Sequence, residues 1–394
     1  MKILYHHRTR SKDGQFVHIS EMIHALREQG HEVIVVAPPA GANEQFGADA
    51  GLVGTLKRLL PRFIYELMEF AYSFVAYRRL RQALIEHKPD CLYERYNLFL
   101  PAGVWLKRRY GLPMLLEVNA PLYEERRTYE GIALERFARW SERYAWCGAD
   151  FVLPVTGVLA GHVERAGVAR EKIVVIPNGI NRAHFNAHVD TEQAKRKLGL
   201  EGRLVLGFTG FIRAWHGLER VVELIAKPGA DAARHLLIVG DGPARVAVER
   251  RAVELGVADR VTVTGIVQRD RVPDYLAAFD VALQPAVVAY ASPLKLIEYL
   301  AMGRAIVAPA SPNILEVLSD GENAVLFDPD QAEGMVVAID RICNDAGLRR
   351  RVAEGARNTI ELRKLTWDNN AQSVVGLFER LLKNRVPSPR PPPH

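Results

Sequence analysis

The segment Ser292-Pro-Leu-Lys-Leu-Ile-Glu298 sets a lysine near a helix start and a carboxylate one turn further on. Pro293 suits the first helical position and Ser292 the cap before it, so Lys295 is expected in the first turn, beside the positive end of the helix dipole. A cation there repels the dipole. With a phosphate at that helix end, the bare backbone N–H groups from Leu294 onward, the dipole and Lys295 all attract the same anion. Glu298 can then accept hydrogen bonds from a sugar hydroxyl. The set suits a nucleoside diphosphate with its ribose. The competing reading is an exposed i,i+3 ion pair between Lys295 and Glu298, worth a few tenths of a kcal/mol.

The elements that must position such a site are legible in the apolar pattern. Ile3 to Tyr5 reads as a buried strand, followed by a loop through Asp13-Gly14 and a helix with Phe16, Ile19, Ile23 and Leu26 on one face. Gly30 ends that helix, and His31 to Ala37 reads as the next strand before Pro38-Pro39. Such βαβ units build parallel sheets. Further strands are expected at 91–96, 114–118, 151–154 and 172–176, with a helical stretch over 122–146. After Pro177-Asn178-Gly179 the alternation begins afresh, with strands at 204–209, 235–239, 260–264, 280–284 and 305–308. The fold class expected is α/β, with two doubly wound parallel-sheet domains facing a cleft, since ligands lie beyond the carboxyl ends of strands in such sheets.

Composition narrows the partners. A chain of 394 residues is longer than one core usually supports. Fifty-two Lys plus Arg against 46 Asp plus Glu gives net +6, which favours anionic partners, yet no dense basic tract of the nucleic-acid-binding kind is present. Three scattered cysteines fit a reducing compartment and neither a disulfide framework nor a zinc site. The N-terminal apolar run is too short for a signal peptide and no apolar stretch is long enough to span a bilayer, so a cytoplasmic protein is expected. Residues 52–82 combine aromatics and aliphatics with flanking Lys57, Arg58, Arg62, Arg78, Arg79 and Arg81, which suits a helix at an anionic membrane surface on the inner face. Packing of the same residues into a core, with solvated basic edges, is the competing reading. The tail 385–394 is half proline and is expected to be disordered.

A series of segments in order carries a family resemblance: Leu237-Ile-Val-Gly-Asp-Gly-Pro243, Arg260-Val-Thr-Val-Thr-Gly265, Val272-Pro-Asp-Tyr-Leu-Ala-Ala-Phe-Asp280 and Ser292-Pro-Leu-Lys-Leu-Ile-Glu-Tyr-Leu-Ala-Met-Gly303. Together with Val175-Ile-Pro-Asn-Gly-Ile-Asn181 and Leu365-Thr-Trp367, they make the chain resemble the retaining glycosyltransferases of family 4, which have the two-domain GT-B fold. The resemblance implies an acceptor-side domain over 1–185, a nucleotide-sugar domain over 200–365 and a helix over 366–384 crossing back to the first domain. Two glutamates eight positions apart mark the family's donor site. Here the second matches Glu298, implying ribose contact, while the first position is Tyr290, as in a branch with Ser-Pro-Leu-Lys and no first glutamate.

In Gly210-Phe-Ile-Arg-Ala-Trp-His-Gly217, relatives carry an arginine after the first glycine and a lysine before the last, where this chain has Phe211 and His216. The resemblance lets Arg213 supply the lost cation and His216 a hydrogen bond. It implies metal-independent chemistry and no cofactor beyond the nucleotide diphosphate sugar itself. For catalysis, Asn119, Glu117 and His18 are the candidates, each with a plainer reading: a turn before Pro121, a positioning group, a packed histidine. Gly14 would let backbone approach the diphosphate, although a turn glycine needs no ligand. The donor-binding candidates are thus Gly14, Arg213, His216, Ser292, Pro293, Leu294, Lys295 and Glu298. The expected activity is transfer of a sugar to a saccharide or lipid-linked acceptor, in cell-surface polysaccharide or glycolipid synthesis, without nucleic acid. The alternatives are a nucleotide-sugar epimerase and a silent nucleotide-sugar-binding module.

Overall fold

The computed structural model describes residues 1–9, 14–38, 60–185, 190–227, 231 and 233–384. Asp13, Pro39, the 52–59 part of the basic aromatic segment with Lys57 and Arg58, and the 385–394 tail lie outside the described residues. The chain forms two compact units. One comprises 1–177, Tyr290–Ser292 and the chain from Trp367 onward; the other comprises 178–289 and 293–366.

In the first unit, strands β1 (Lys2–His6), β2 (Glu32–Val36), β3 (Cys91–Arg95), β4 (Met114–Val118) and β5 (Phe151–Pro154) form a parallel sheet in the order β2-β1-β3-β4-β5. Helices α1 (Gly14–Glu28), α2 (Arg62–His87), α3 (Ala102–Tyr110), α4 (Leu122–Tyr129), α5 (Glu135–Gly148) and α6 (Gly157–Arg165) connect and cover it. The strands β3 and β4 are buried at every position, because a parallel sheet is covered on both faces. Their apolar starts were readable, while their carboxyl ends bury Glu94, Arg95 and Glu117.

The second unit contains α7 (Thr191–Leu198), β6 (Leu204–Thr209), α8 (Leu218–Ala226), β7 (Arg234–Val239), α9 (Arg245–Glu254), β8 (Val261–Val263) and α10 (Val272–Leu276). It continues with β9 (Val281–Leu283), α11 (Leu294–Ala301), β10 (Ala305–Pro309), α12 (Pro312–Leu315), β11 (Val325–Phe327), α13 (Gly334–Asn344) and α14 (Ala346–Leu362). Its six strands are parallel in the order β11-β10-β9-β6-β7-β8. The last helix, α15 (Trp367–Lys383), packs on α1 of the first unit.

Each sheet has one point where chain order reverses: between β1 and β3 in the first and between β6 and β9 in the second. At such a point the loops leave in opposite directions and open a crevice at the carboxyl ends of the strands. The two candidate groups of residues gather there, each within its own unit.

Three sequence expectations change. The 122–146 stretch is two helices, because Gly131 turns at φ +81° and the Glu66 carboxylate accepts from the N–H groups of Ala133 and Leu134 before α5. Residues 172–176 are not a full strand: a short 3-10 turn covers Arg170–Lys172, after which Val174 and Ile176 donate to the carbonyls of Val152 and Pro154. On α1 the buried face is His18, Ile19, Met22, Ala25 and Leu26, with Phe16 47% exposed. A polar partner inside draws His18 inward and rotates the face away from Phe16 and Ile23.

Candidate functional site

In the second unit, β6 ends at Thr209, and α11 is fastened to that end by two residues one turn apart. Tyr299 OH accepts from the Thr209 N–H at 2.9 Å and lies 3.0 Å from its hydroxyl. Lys295 is on the same helical face, four residues earlier, and its Nζ lies 3.9 Å from the centroid of the Phe208 ring. Gly210 follows at φ +117°, and a Cβ there would come within 3.1 Å of Lys295 Nζ. Only glycine both adopts that backbone and leaves the ammonium room.

The helix start differs from the expectation. Leu294 is the first helical residue and Pro293 is the cap, with ψ 122°, and no side chain caps the helix. Ser292 stands one residue further out and groups with the first unit, as does Tyr290, whose carbonyl accepts from Thr156 Oγ1 at 2.9 Å. Lys295 still falls in the first turn.

Lys295 and Glu298 do not pair with each other. Arg269 takes Glu298, Nη1 bonding Oε1, while its guanidinium stacks 4.8 Å from the Phe185 ring centroid. Burial pushes the Lys295 pKa down to about 7, against the opposing pull of the Glu298 charge. Among the described residues no carboxylate forms an ion pair with it. An ammonium so placed gains most from an anion brought to it.

His216 closes the loop that follows β6. Its Nδ1 accepts from the Arg213 N–H at 3.1 Å, and the His216 N–H donates back to the Arg213 carbonyl. The proton therefore sits on Nε2. Burial, then the charges of Lys295 and Arg213, push its pKa down to about 3, so it is neutral at ordinary pH. Its ring meets Phe208 edge to face at 4.8 Å, which makes Phe208 a shared platform for His216 and Lys295. Arg213 itself is exposed, with its guanidinium 5.0 Å from the Phe211 ring centroid. Behind this loop the turn after β7 packs backbone to backbone: a Cβ on Gly240 would lie 2.1 Å from the Gly210 carbonyl oxygen, and one on Gly242 2.3 Å from that of Ile212. The glycines of Gly240-Asp-Gly-Pro243 are packing residues.

In the first unit the carboxyl ends of β1, β3 and β4 carry a buried polar cluster. Glu117, 2% exposed, accepts from Tyr93 OH at 2.6 Å and from Arg95 and Asn119, and lies 2.9 Å from His18 Nε2. Burial alone would raise its pKa, but the charges of His18 and Arg95 and the hydrogen bonds from His18 and Tyr93 outweigh it and hold the carboxyl well below the usual range. A carboxylate that deeply satisfied is a poor proton acceptor, so its geometry favours positioning over the role of base. It orients Asn119, which is partly exposed, and His18, whose ring meets Trp367 of α15 at 4.8 Å. Beside it His6 Nδ1 lies 2.6 Å from Glu94, and the Glu94 carboxylate packs against Gly103 in the first turn of α3, where the dipole favours a negative charge. His7 is pushed down to about 4 by burial and then by His6 and Arg95. Gly14 is the exposed first residue of α1.

Sequence reasoning missed Phe208, Tyr299 and Arg269 in the second unit and the His6, Glu94, Tyr93 and Arg95 group in the first. The i,i+4 spacing of Lys295 and Tyr299 was a usable signal. Nothing local marked Arg269, 29 residues before its partner. Among the described residues no group of three or more His, Cys, Asp or Glu side chains is arranged to hold a metal ion.

Two parallel-sheet units with polar groups at both switch points define a GT-B-type enzyme, and comparison with known proteins agrees. Residues 13–179 match the family model for a glycosyl transferase 4-like domain, and residues 190–359 match that for glycosyl transferases group 1. The chain belongs to the family 4 glycosyltransferases of GT-B fold. It is 26% identical over 284 residues to an alpha-D-kanosaminyltransferase of Streptomyces kanamyceticus, covering 70% of this chain and 72% of that one. It is 29% identical over 270 residues to the lipopolysaccharide core biosynthesis glycosyltransferase LpsE of Rhizobium meliloti, covering 67% and 75%. Among solved structures, HepE of Anabaena in complex with UDP superposes with TM-score 0.74 at 17% identity, over 96% of this chain and all of that one.

Proposed function

We propose that the protein is a retaining, metal-independent hexosyltransferase that uses a nucleoside diphosphate sugar as donor. Its acceptor is a saccharide or lipid-linked saccharide, and its setting is polysaccharide or glycolipid synthesis at the inner face of a membrane. The observation that carries the reading is Lys295: a cation with a depressed pKa, without a carboxylate ion-pair partner among the described residues, held over Phe208 at the switch point of the second sheet.

In this reading Lys295 and Arg213 hold the diphosphate with the N–H groups of Leu294 and the turn it begins. Neutral His216 donates from Nε2, and Glu298, oriented by Arg269, keeps Oε2 for the ribose. As the bond from the anomeric carbon to the β-phosphate oxygen breaks, the fixed cations take up the charge that develops on the diphosphate. The acceptor oxygen bonds to the anomeric carbon on the same face, and its proton passes to the departing diphosphate, so no protein nucleophile is needed. His18, Asn119 and Glu117 serve the acceptor side, with Glu117 as the positioning group, and Gly14 leaves backbone room for the diphosphate. HepE, a structural neighbour bound to UDP, supports a nucleotide donor.

The test is a thermal-shift screen of the purified chain against nucleotide sugars, followed by transfer assays with the best binder. A bound donor raises the transition temperature in proportion to the logarithm of saturation. Glu298→Ala should reduce that shift without lowering the unliganded transition by more than a few degrees. An unchanged shift removes the ribose role of Glu298, and no shift with any nucleotide sugar removes the donor-site reading.

A further inference from the structure

Arg8 stands just past the carboxyl end of β1, one of the two strands that flank the switch point of the first sheet. Its guanidinium lies 4.9 Å from the centroid of the Tyr72 ring on α2, and its Nη1 is 4.0 Å from Oε1 of Glu69, three residues earlier on that helix. Glu69 is already taken. Arg126 of α4 bonds both of its oxygens, Nη1 to Oε2 at 2.5 Å and Nη2 to Oε1 at 3.1 Å. Two guanidinium groups thus share one buried carboxylate. The charge of Glu130 acts on Arg126, and Arg8 keeps only the long contact. Among the described residues Arg8 makes no hydrogen bond, although its side chain is only 24% exposed. Such a guanidinium has lost hydration without gaining an acceptor, so an anion that accepts from its fork gains most there.

The frame around this group is fixed. Ser73, one turn after Glu69 on α2, donates from Oγ to the Phe99 carbonyl at 2.8 Å, and the Arg126 guanidinium lies 5.8 Å from the Phe99 ring centroid. Phe99 follows β3, the other strand at the switch point; it is fully buried and held at φ +62°. A bulky residue adopts that left-handed backbone only at a cost, and strain of this kind gathers at ligand-binding loops. Open parallel sheets take their ligands at the carboxyl ends of the strands beside the switch point. Arg95, the other arginine at this end, is committed to Glu117.

We infer that Arg8 receives an anionic group of the acceptor, a phosphate or a sugar carboxylate, in the first unit. The inference rests on the glycosyltransferase reading above and names the acceptor's chemical class, since a neutral saccharide carries no charge for that guanidinium to meet. Both groups present paired oxygens that match the arginine fork. A phosphate is that of a lipid-linked acceptor; a carboxylate is that of an acidic residue in a saccharide chain.

The experiment is a thermal-shift titration of the whole chain carrying Lys295→Met, which removes the donor-side cation, with glucose 1-phosphate, glucuronate and glucose. At least one of the two anionic sugars should raise the transition, and glucose should not. The stronger of the two names the source, phosphate or carboxylate. Arg8→Gln added to Lys295→Met should weaken that response about tenfold or more, as loss of a charge-assisted pair does. Arg8→Lys should restore part of it, keeping the charge without the fork. In the parent background, Arg8→Gln should leave the unliganded transition and the nucleotide-sugar shift unchanged, because a 4.0 Å contact contributes little. The donor reading stands or falls on the nucleotide-sugar shift of the parent, so the two failures are told apart. Three outcomes overturn the inference: no shift with either anionic sugar, an equal shift with glucose, or an anion response that Arg8→Gln leaves intact.

Discussion

Lys295 places a pH signature on donor binding. Its pKa in the unliganded protein is pushed down to about 7 by burial, and a phosphate oxygen at Nζ returns it toward the ordinary lysine value of about 10.4. Between these values binding takes up a proton, so affinity falls as pH rises, approaching about tenfold per unit. About half of the lysines are already charged at pH 7, so the loss on going to about pH 8.5 is about fifteenfold, or ~1.6 kcal/mol. His216, pushed down to about 3, stays neutral across this window and adds nothing to the slope. The assay is titration calorimetry with a nucleotide sugar, whose phosphates are diesterified and do not titrate here, in two buffers of different ionisation enthalpy. Proton uptake should rise from about half a proton at pH 7 to nearly one at about pH 8.5. Lys295→Arg keeps a charge at every accessible pH and should flatten the dependence. Lys295→Met should bind weakly at both pH values without uptake. Equal affinity at the two pH values in the parent, or uptake that survives Lys295→Met, refutes the assignment of the anion to this lysine.

Other substitutions probe the supports of the two clusters. Gly240→Ala would set a Cβ 2.1 Å from the Gly210 carbonyl at φ +146°, and should cost about 2 kcal/mol or more in denaturant unfolding, with loss of donor affinity because the 210–217 loop must move. Glu142, whose carboxylate accepts from Tyr96 OH and the Tyr123 N–H, is pushed up to about 7 by burial. Its folded pKa lies above the unfolded 4.5, so its contribution is full below pH 4.5 and is lost as pH rises to about 7. Glu142→Gln should remove that slope and raise stability above pH 7 by up to ~3 kcal/mol, read from melting curves across the range. Glu117 has the opposite sign: its folded pKa is depressed, so its stabilisation is present above pH 4.5 and is lost as pH falls toward the folded value. Glu117→Gln should cost about 3 to 5 kcal/mol at neutral pH, because Arg95 is left buried without its carboxylate, and should blunt acid sensitivity below pH 4.5. A neutral-pH loss below about 1 kcal/mol would show that the cluster does not depend on that charge.

Most strands were readable because burial of the central ones on two faces favours apolar runs, and β4, β5 and β6 have the ends their sequence suggested. The three-residue β11 was not, since a run that short resembles any buried loop segment. The α1 face was misassigned because periodicity counts only apolar residues, and the inward His18 is chosen by a carboxylate on β4 rather than by its own hydropathy.

The chain's order of residues by itself determined the alternation of strands and helices, the restart after Pro177-Asn178-Gly179, the glycine turns and the placing of Lys295 in a first helical turn. These depend on short-range sterics and on which side of an element is apolar. Folding in three dimensions decided the partners: Arg269 rather than Lys295 for Glu298, Phe208 beneath the lysine, four donors around Glu117, and an α2 whose Glu66 and Glu69 face inward and whose Phe63 and Phe74 face out. Those choices depend on distances between residues far apart in the chain, and a polar group goes wherever a distant partner satisfies it, which no local pattern records.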